Sequence, residues 1–408
     1  MAMRMDVAAV DRLKSYFDHV GEILGSPNRR ESFSVYAMGI LGDGERKSVE
    51  PMAARACANE RTADAAHQSL LHFIANARWS DRDVRRAACR HALDAMTTHG
   101  PVQAWILDDT GFLKQGKHSV GVQRQYSGTA GKVANCQIGV SLTLATSTEQ
   151  VPIDFELYLP EAWTNDPDQR IKAHIPDTVR FKTKPELALD MLQRAVEDKV
   201  PEGVVLADAG YGTGSAFRRG VRKLGLHYAV GVDPRTKIWL LDPNTQLPAA
   251  KQDVKSLALE LERCGEFRRC TWRKGTKNDL SARFVAIRVV VAHDDGQALH
   301  ERQQEWLLIE WRDDEEEPAN YFLSSLPARM TKKHLVRIVM QRWRTERAYE
   351  DLKGELGLDH YEGRSFPGWH HHVSVVLCCY AFVVAERARH FPPSASRSVA
   401  RDADIIAA

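Results

Sequence analysis

The chain has 408 residues, 43% hydrophobic and 27% charged, a composition that excludes a disordered or fibrous protein and gives room for two or three domains. Its net charge of +2 does not by itself announce a nucleic-acid partner, and no apolar run approaches the roughly 20 residues needed to cross a bilayer. No apolar signal segment follows the charged start Met1 to Lys14, so the protein is read as cytoplasmic. Seven cysteines without CxxC spacing are read as structural thiols, with Cys378 and Cys379 in an apolar stretch. The distribution of charge says more than its sum. Arg329 to Arg347 carries Arg329, Lys332, Lys333, His334, Arg337, Arg342, Arg344 and Arg347 against Glu346 alone, a segment suited to phosphates. Asp313 to Glu317 is acidic throughout and is read as a solvated loop.

Taken in chain order, Val7 to His99 has helical spacing, with clusters such as Leu70, Leu71, Phe73 and Ile74 among polar residues. It reads as a separate helical domain, residues 1–99. Its many arginines would suit DNA contact, and a plain packing domain fits the pattern as well. At Pro101 the character changes. Val102 to Leu107 is a strand-like run stopped by Asp108-Asp109-Thr110-Gly111, and Cys136 to Ala145 and Ile153 to Leu159 read as two further strands. A helix is expected from Pro185 to Asp198, with Pro near its start. Val204 to Ala207 then ends at Asp208-Ala209-Gly210, followed by a helix near Ser215 to Leu224 and a strand Tyr228 to Val232. Residues 233–320 turn β-rich, with Phe284 to Val291 and Trp306 to Trp311 as the clearest strands. Tyr321 to Leu326 resumes the core and Pro327 leads into one long helix, Thr331 to Lys353. An apolar helix, Trp369 to Arg387, closes the fold, and residues 391–408 form a tail.

The expected class is α/β. The order of three strands, helix, strand, helix and strand resembles a ribonuclease-H-like mixed sheet, here in two parts, 100–232 and 321–390, flanked by helices and interrupted by the insertion 233–320. In that fold the first and fourth strands run parallel and adjacent, and open α/β sheets bind ligands beyond such strand ends. Asp109 and Asp208 occupy those two positions.

The helix carrying Glu346 is the most informative segment. At about 100° per residue, with Arg342 at zero, Glu346 falls at about 40° and Lys353 at about 20°, within the stripe of Leu335, Ile338, Val339, Tyr349 and Leu356. Charges on an inward face need partners or a metal. An Arg342/Glu346 pair at i,i+4 is the purely structural alternative. Phosphoryl transfer on DNA calls for two hard cations about 3.5 to 4 Å apart, and carboxylates from different parts of the chain could supply their cage.

These residues carry a family resemblance. The chain resembles the DDE transposases of bacterial insertion sequences, in particular the group whose third acid lies in a helical Tyr-x2-Arg-x3-Glu-x6-Lys signature. Arg342, Glu346 and Lys353 match that spacing, Trp343 and Arg344 extend it, and Val339 stands where the signature has Tyr. Asp108 to Phe112, Gly116 to Gly128 and Ala207 to Gly212 continue the match. The resemblance implies Asp109, Asp208 and Glu346 as catalytic metal ligands for two Mg2+ ions, with Mn2+ as substitute. It implies Arg342 and Lys353 as contacts to phosphates near the cleaved end. Asp108 competes for the first position, and Asp109 is preferred because the family motif places its ligand directly before Thr. Further candidate DNA contacts are Arg344, Lys117, Arg124, Trp306 and Trp311.

The implied function is binding of terminal inverted repeats, cleavage of the element's ends and strand transfer into target double-stranded DNA, by a chain that is a homodimer in the DNA complex and has no membrane partner. The alternatives are a structure-specific nuclease, or a domesticated DNA-binding protein that keeps the fold without the activity. Relatives with this signature and a β-rich insertion pass through a hairpin at the transposon end, for which Trp306 or Trp311 could offer a stacking platform. The five-residue separation puts these two on opposite faces of a strand. His370, His371 and His372 point about 100° apart on a helix, so they are read as packing or capping residues.

Overall fold

The computed structural model describes residues 7–57, 59–242, 244–245, 248–274, 279–292 and 302–390. The expected tail, 391–408, lies outside them. Helices α1 (Val7–Leu24), α2 (Pro27–Leu41), α3 (Val49–Ala56), α4 (Glu60–Ala75) and α5 (Asp81–Met96) come first. Strands β1 (Ala104–Leu113), β2 (Gln123–Ser127), β3 (Lys132–Ala145) and β4 (Gln150–Tyr158) follow, then α6 (Glu161–Thr164), α7 (Pro167–Lys172) and α8 (Lys184–Glu197). Next are β5 (Val204–Ala207), α9 (Ala209–Gly212), α10 (Ser215–Lys223), β6 (Tyr228–Gly231), β7 (Lys237–Leu241), β8 (Pro248–Asp253) and α11 (Val254–Arg263). The chain continues through β9 (Arg268–Lys274), β10 (Asp279–Val291), β11 (Gln304–Trp311), β12 (Asn320–Ser324), α12 (Lys332–Val339), α13 (Trp343–Gly354) and α14 (Phe366–His390). The protein is thus mixed α/β, with parallel and antiparallel strand pairs and flanking helices.

Two compact units cut across chain order: residues 1–102, 108–187 and 344–408 form the first, and 103–107 with 188–343 the second. The helices expected to stand apart as residues 1–99 therefore share a unit with β3, β4 and α14. The reason lies in α14, which is buried on nearly all sides and so must be covered all round. Packed against it are α5, β4, α4, α2 and α1. Its approach to α5 is made close by Ala95, Ala385 and Ala388. The same helix corrects the expectation that no run could span a bilayer: α14 is long and apolar enough by length and composition, yet 94% of its apolar window is buried inside the protein.

Polar groups in this helical core are paired. Arg85, 5% exposed, reaches Asp81 (2.6 Å), Asp154 (3.1 Å) and the Ser374 hydroxyl (3.0 Å), linking α5, β4 and α14. The three consecutive histidines diverge as their helical spacing requires. His370 faces Glu156, His371 the carbonyls of Ile74 and Trp79, and His372 the Tyr36 hydroxyl and the carbonyls of Gly357 and Leu358. In the sheet of this unit, β3 pairs antiparallel with β2 along Lys132 to Cys136 and with β4 along Ile138 to Ala145. On its other edge lies β1.

In the second unit, the first residues of β1 pair parallel with β5, in the register Ala104↔Val204 to Ile106↔Leu206. The expected parallel neighbours are therefore observed. The parallel run continues to β6, and β12, β11, β10, β7 and β8 follow antiparallel, with β9 on β10. One face of these strands, with α11, makes a core of Val232, Ile238, Leu257, Val289, Leu307, Ile309, Trp311 and neighbours. Helix α11 is an addition to the β-rich reading of residues 233–320.

Candidate active site

Asp109 does not end its strand as expected. β1 runs four residues further, to Leu113, because Phe112 is buried and packs edge to face on Trp369 at 5.6 Å. Gly111 is required there, since a Cβ would lie 2.2 Å from the Ser127 hydroxyl. Asp109 is partly exposed, and both its carboxylate oxygens accept from Lys184 Nζ at 3.0 Å. Asp108 is tied locally: its Oδ1 accepts the backbone N–H of Asp109 at 2.8 Å.

The second feature of this unit is α13. The expected single helix is broken by a 3-10 turn at Met340–Arg342. No Pro or Gly stands there, so the break has no local backbone cause. On α13 itself the buried face is Thr345, Ala348, Tyr349 and Leu352, and Glu346 is exposed. This corrects its placement inside the apolar stripe: counting about 100° per residue, Glu346 and Lys353 share one flank of the buried face.

Two buried hydroxyl pairs fasten that face to β3. Thr345 Oγ1 meets Thr143 Oγ1 at 2.9 Å, and Tyr349 Oη meets Ser141 Oγ at 2.6 Å. They bracket Glu346 one residue before and three after, so its backbone is held firmly while its carboxylate reaches solvent. Lys353 Nζ donates to Thr110 Oγ1 (2.8 Å), the Gly111 carbonyl (2.7 Å) and Thr129 Oγ1 (3.1 Å). That brings Lys353 to the residues directly after Asp109, and burial lowers its pKa. Arg344 donates to Gln150 Oε1 (3.2 Å) and the Ser147 carbonyl (2.6 Å). Lys117 and Arg124 are exposed, the latter on β2.

In the second unit, Asp208 follows β5 and caps α9, its Oδ1 accepting from Gly210 N at 2.9 Å. Two glycines fix this turn against β6. A Cβ on Gly212 would lie 2.1 Å from the Gly231 carbonyl, and one on Gly231 would lie 2.8 Å from Ala209 N. Of the two tryptophans on β11, Trp311 is buried in the core and its indole N–H donates to the Glu315 carbonyl. Trp306 is half-buried, lies against Arg288 and donates to the Pro327 carbonyl. Trp343 carries the Arg273 guanidinium over its ring at 4.0 Å.

Lys184, Thr143, Ser141 and Thr345 were not legible as site residues. One signal for Lys184 was present: Thr183 and Glu186 flank it in the Thr-x-x-Glu pattern of a capping box. Carboxylate oxygens are the donors a hard divalent cation takes, and Asp109 already accepts a cationic group on both oxygens. The donor chemistry therefore fits a divalent metal. Among the described residues, no three His, Cys, Asp or Glu side chains are grouped closely enough to hold one.

The fold is mixed α/β, with Asp109 inside β1 and Asp208 directly after β5. The sequence profile of the DDE superfamily endonuclease family matches residues 19–279, well over half the chain, and the chain belongs to that family. The matched stretch contains Asp109 and Asp208 and ends before Glu346. The chain is also similar to a probable transposase for insertion sequence element IS701 from Microchaete diplosiphon, at 27% identity over 203 residues. That alignment covers 50% of this chain and 48% of the relative, about half the length of each.

Proposed function

We propose that the protein is a DNA transposase of an insertion sequence, in the group with the Tyr-Arg-Glu-Lys helical signature, on a ribonuclease-H-like core carrying a β-rich insertion. In this reading it binds the terminal inverted repeats, cuts the element's ends with water and joins the freed 3′ hydroxyls to target DNA, acting as a homodimer in the cytoplasm. The observation that carries it is the pair of aspartates, Asp109 within β1 and Asp208 directly after β5, inside the stretch that matches the DDE endonuclease family. The likeness to the probable insertion-sequence transposase favours transposition over other nucleolytic roles.

Asp109, Asp208 and Glu346 are assigned as oxygen donors to two Mg2+ ions, or Mn2+ in their place. Such ions supply activation of the attacking oxygen and stabilisation of the leaving one. The buried hydroxyl pairs at Thr345 and Tyr349 hold the backbone of Glu346 while its side chain turns toward the site. Lys353, anchored beside Asp109, and Arg342 are assigned to phosphates near the cut, with Arg344, Lys117 and Arg124 as further backbone contacts. Trp306, with surface exposed, is assigned as the stacking platform for a hairpin end in preference to the core residue Trp311.

The test is incubation of the full chain with DNA from the flanks of its own gene, with and without Mg2+. Cleavage confined to particular end sequences, followed by joining to a target plasmid, is expected. Cutting governed by DNA structure, without strand transfer, would assign the chain to the structure-specific nucleases. DNA binding without cutting under any metal would leave a binding protein.

A further inference from the structure

We propose that Lys184 is a resident counter-cation of Asp109 that competes with divalent metal for this carboxylate and so sets the metal affinity of the site. The inference rests on the reading of Asp109 as a metal ligand. Its ground is geometric. Lys184 Nζ lies 3.0 Å from both Oδ1 and Oδ2, so the ammonium takes both oxygens on which a metal would draw. The pair is 75 residues apart in sequence and is not a neighbour contact.

Lys184 is held there by its helix start. Thr183 N and Oγ1 both donate to Glu186 Oε2 at 2.7 Å, and Glu186 N donates back to Thr183 Oγ1 at 3.4 Å. This reciprocal cap fixes the first turn of α8, and Pro185 restricts the backbone of the residue before it. The lysine therefore springs from a rigid point, with its side chain 33% exposed and that of Asp109 only 23%. A cation bound there must be displaced or pushed aside before a metal can use the same oxygens, since like charges in a partly shielded site repel.

A plain structural ion pair, joining α8 to β1, is the competing account, and the two differ in what metal titration reads. Mn2+ binding to the full-length chain is measured by the loss of the free-ion electron paramagnetic resonance signal. Lys184→Met and Lys184→Gln are expected to bind Mn2+ at least about twofold and up to about fivefold more tightly than wild type, the equilibrium equivalent of a partly exposed ion pair. Lys184→Arg, which keeps the charge, is expected to restore wild-type affinity. In the unmutated chain, saturating Mg2+ is expected to speed acylation of Lys184 by an amine-reactive ester, followed by mass spectrometry. Wild-type or weaker Mn2+ affinity in both neutral variants, or acylation of Lys184 unchanged by Mg2+, overturns the proposal. Asp109→Asn separates the two levels of argument. If it loses Mn2+ binding while the Lys184 variants match wild type, only the counter-cation role fails; if it binds as wild type does, the assignment of Asp109 fails with it.

Discussion

At the scale of single residues, the assignments divide into groups that would do chemistry and groups that would hold DNA. Asp109→Asn, Asp208→Asn and Glu346→Gln are each expected to abolish cleavage while sparing DNA binding. An amide is a far poorer ligand for a hard cation, whereas most binding free energy comes from phosphate contacts spread over the surface. Parallel cleavage and mobility-shift assays check this, and normal cutting by any one variant removes that residue from the site. Asp108→Asn serves as the control and is expected to be mild, because an amide oxygen can still accept the Asp109 N–H that Asp108 now receives. Arg342→Ala and Lys353→Ala are expected to weaken binding of cleaved ends more than of intact duplex. Equal losses on both DNA forms would count against contacts at the cut. Lys353→Ala should also lower stability by about 1 to 3 kcal/mol, since Thr110, Gly111 and Thr129 lose their common donor.

At the scale of elements, two joints position the acids and each can be loosened separately. The first is the pair of hydroxyl contacts between α13 and β3. Tyr349→Phe leaves the buried Ser141 Oγ without its partner and is expected to cost about 1 kcal/mol in chemical denaturation. Cleavage is expected to fall by more than this stability loss explains, because Glu346 sits three residues away. A variant that is destabilised yet cuts at the wild-type rate would detach this joint from the site. The second joint is the crossing of α9 over β6. Gly212→Ala places a methyl against the Gly231 carbonyl and Val230, where backbone cannot give way cheaply. A loss of about 1 to 3 kcal/mol is expected, with cleavage reduced through displacement of Asp208. On β11, Trp306→Ala is expected to diminish a slow-migrating closed species on denaturing gels of end-labelled DNA. Open double-strand ends at every time point would remove the hairpin from the pathway.

At the scale of the whole molecule, the buried histidines tie the fold to pH. His372 is enclosed, with Tyr36 Oη on Nδ1 at 2.8 Å and the carbonyls of Gly357 and Leu358 on Nε2. This set suits the neutral ring, with Nε2–H donating to the carbonyls and the Tyr36 hydroxyl donating to Nδ1. Burial lowers its pKa to about 4, and burial does the same to His91, also to about 4. Because the folded pKa lies below the unfolded value of about 6.5, the unfolded chain takes up the proton first as the solution is acidified. The stabilisation is complete above pH 6.5 or so and is lost between there and about pH 4, by up to about 3 kcal/mol from the His372 ring. Thermal midpoints measured across that window should fall in the wild-type chain and fall less steeply in His372→Asn. Parallel slopes for the two would show that His372 does not contribute.

Much of this protein is written in local sequence pattern. The helical spacing from Val7 to His99, the strand run before Asp208 and the apolar closing helix α14 all follow from periods of two and 3.6 residues, which any short window displays, whereas the parallel pairing of β1 with β5 was expected only from the resemblance to a ribonuclease-H-like sheet. The divergence of His370, His371 and His372 follows from the same arithmetic. What periodicity does not encode is which distant surfaces meet. The pairing of Lys184 with Asp109, the hydroxyl contacts of Thr345 and Tyr349 with β3, and the union of the N-terminal helices with α14 are contacts between segments far apart in the chain, decided by burial in three dimensions. The extension of β1 past Asp109 was set by the burial of Phe112, and the exposure of Glu346 by which face of α13 found β3. A helical wheel ranks faces by hydrophobicity; only the packed partner decides where the buried face ends, and Glu346 falls just beyond that edge.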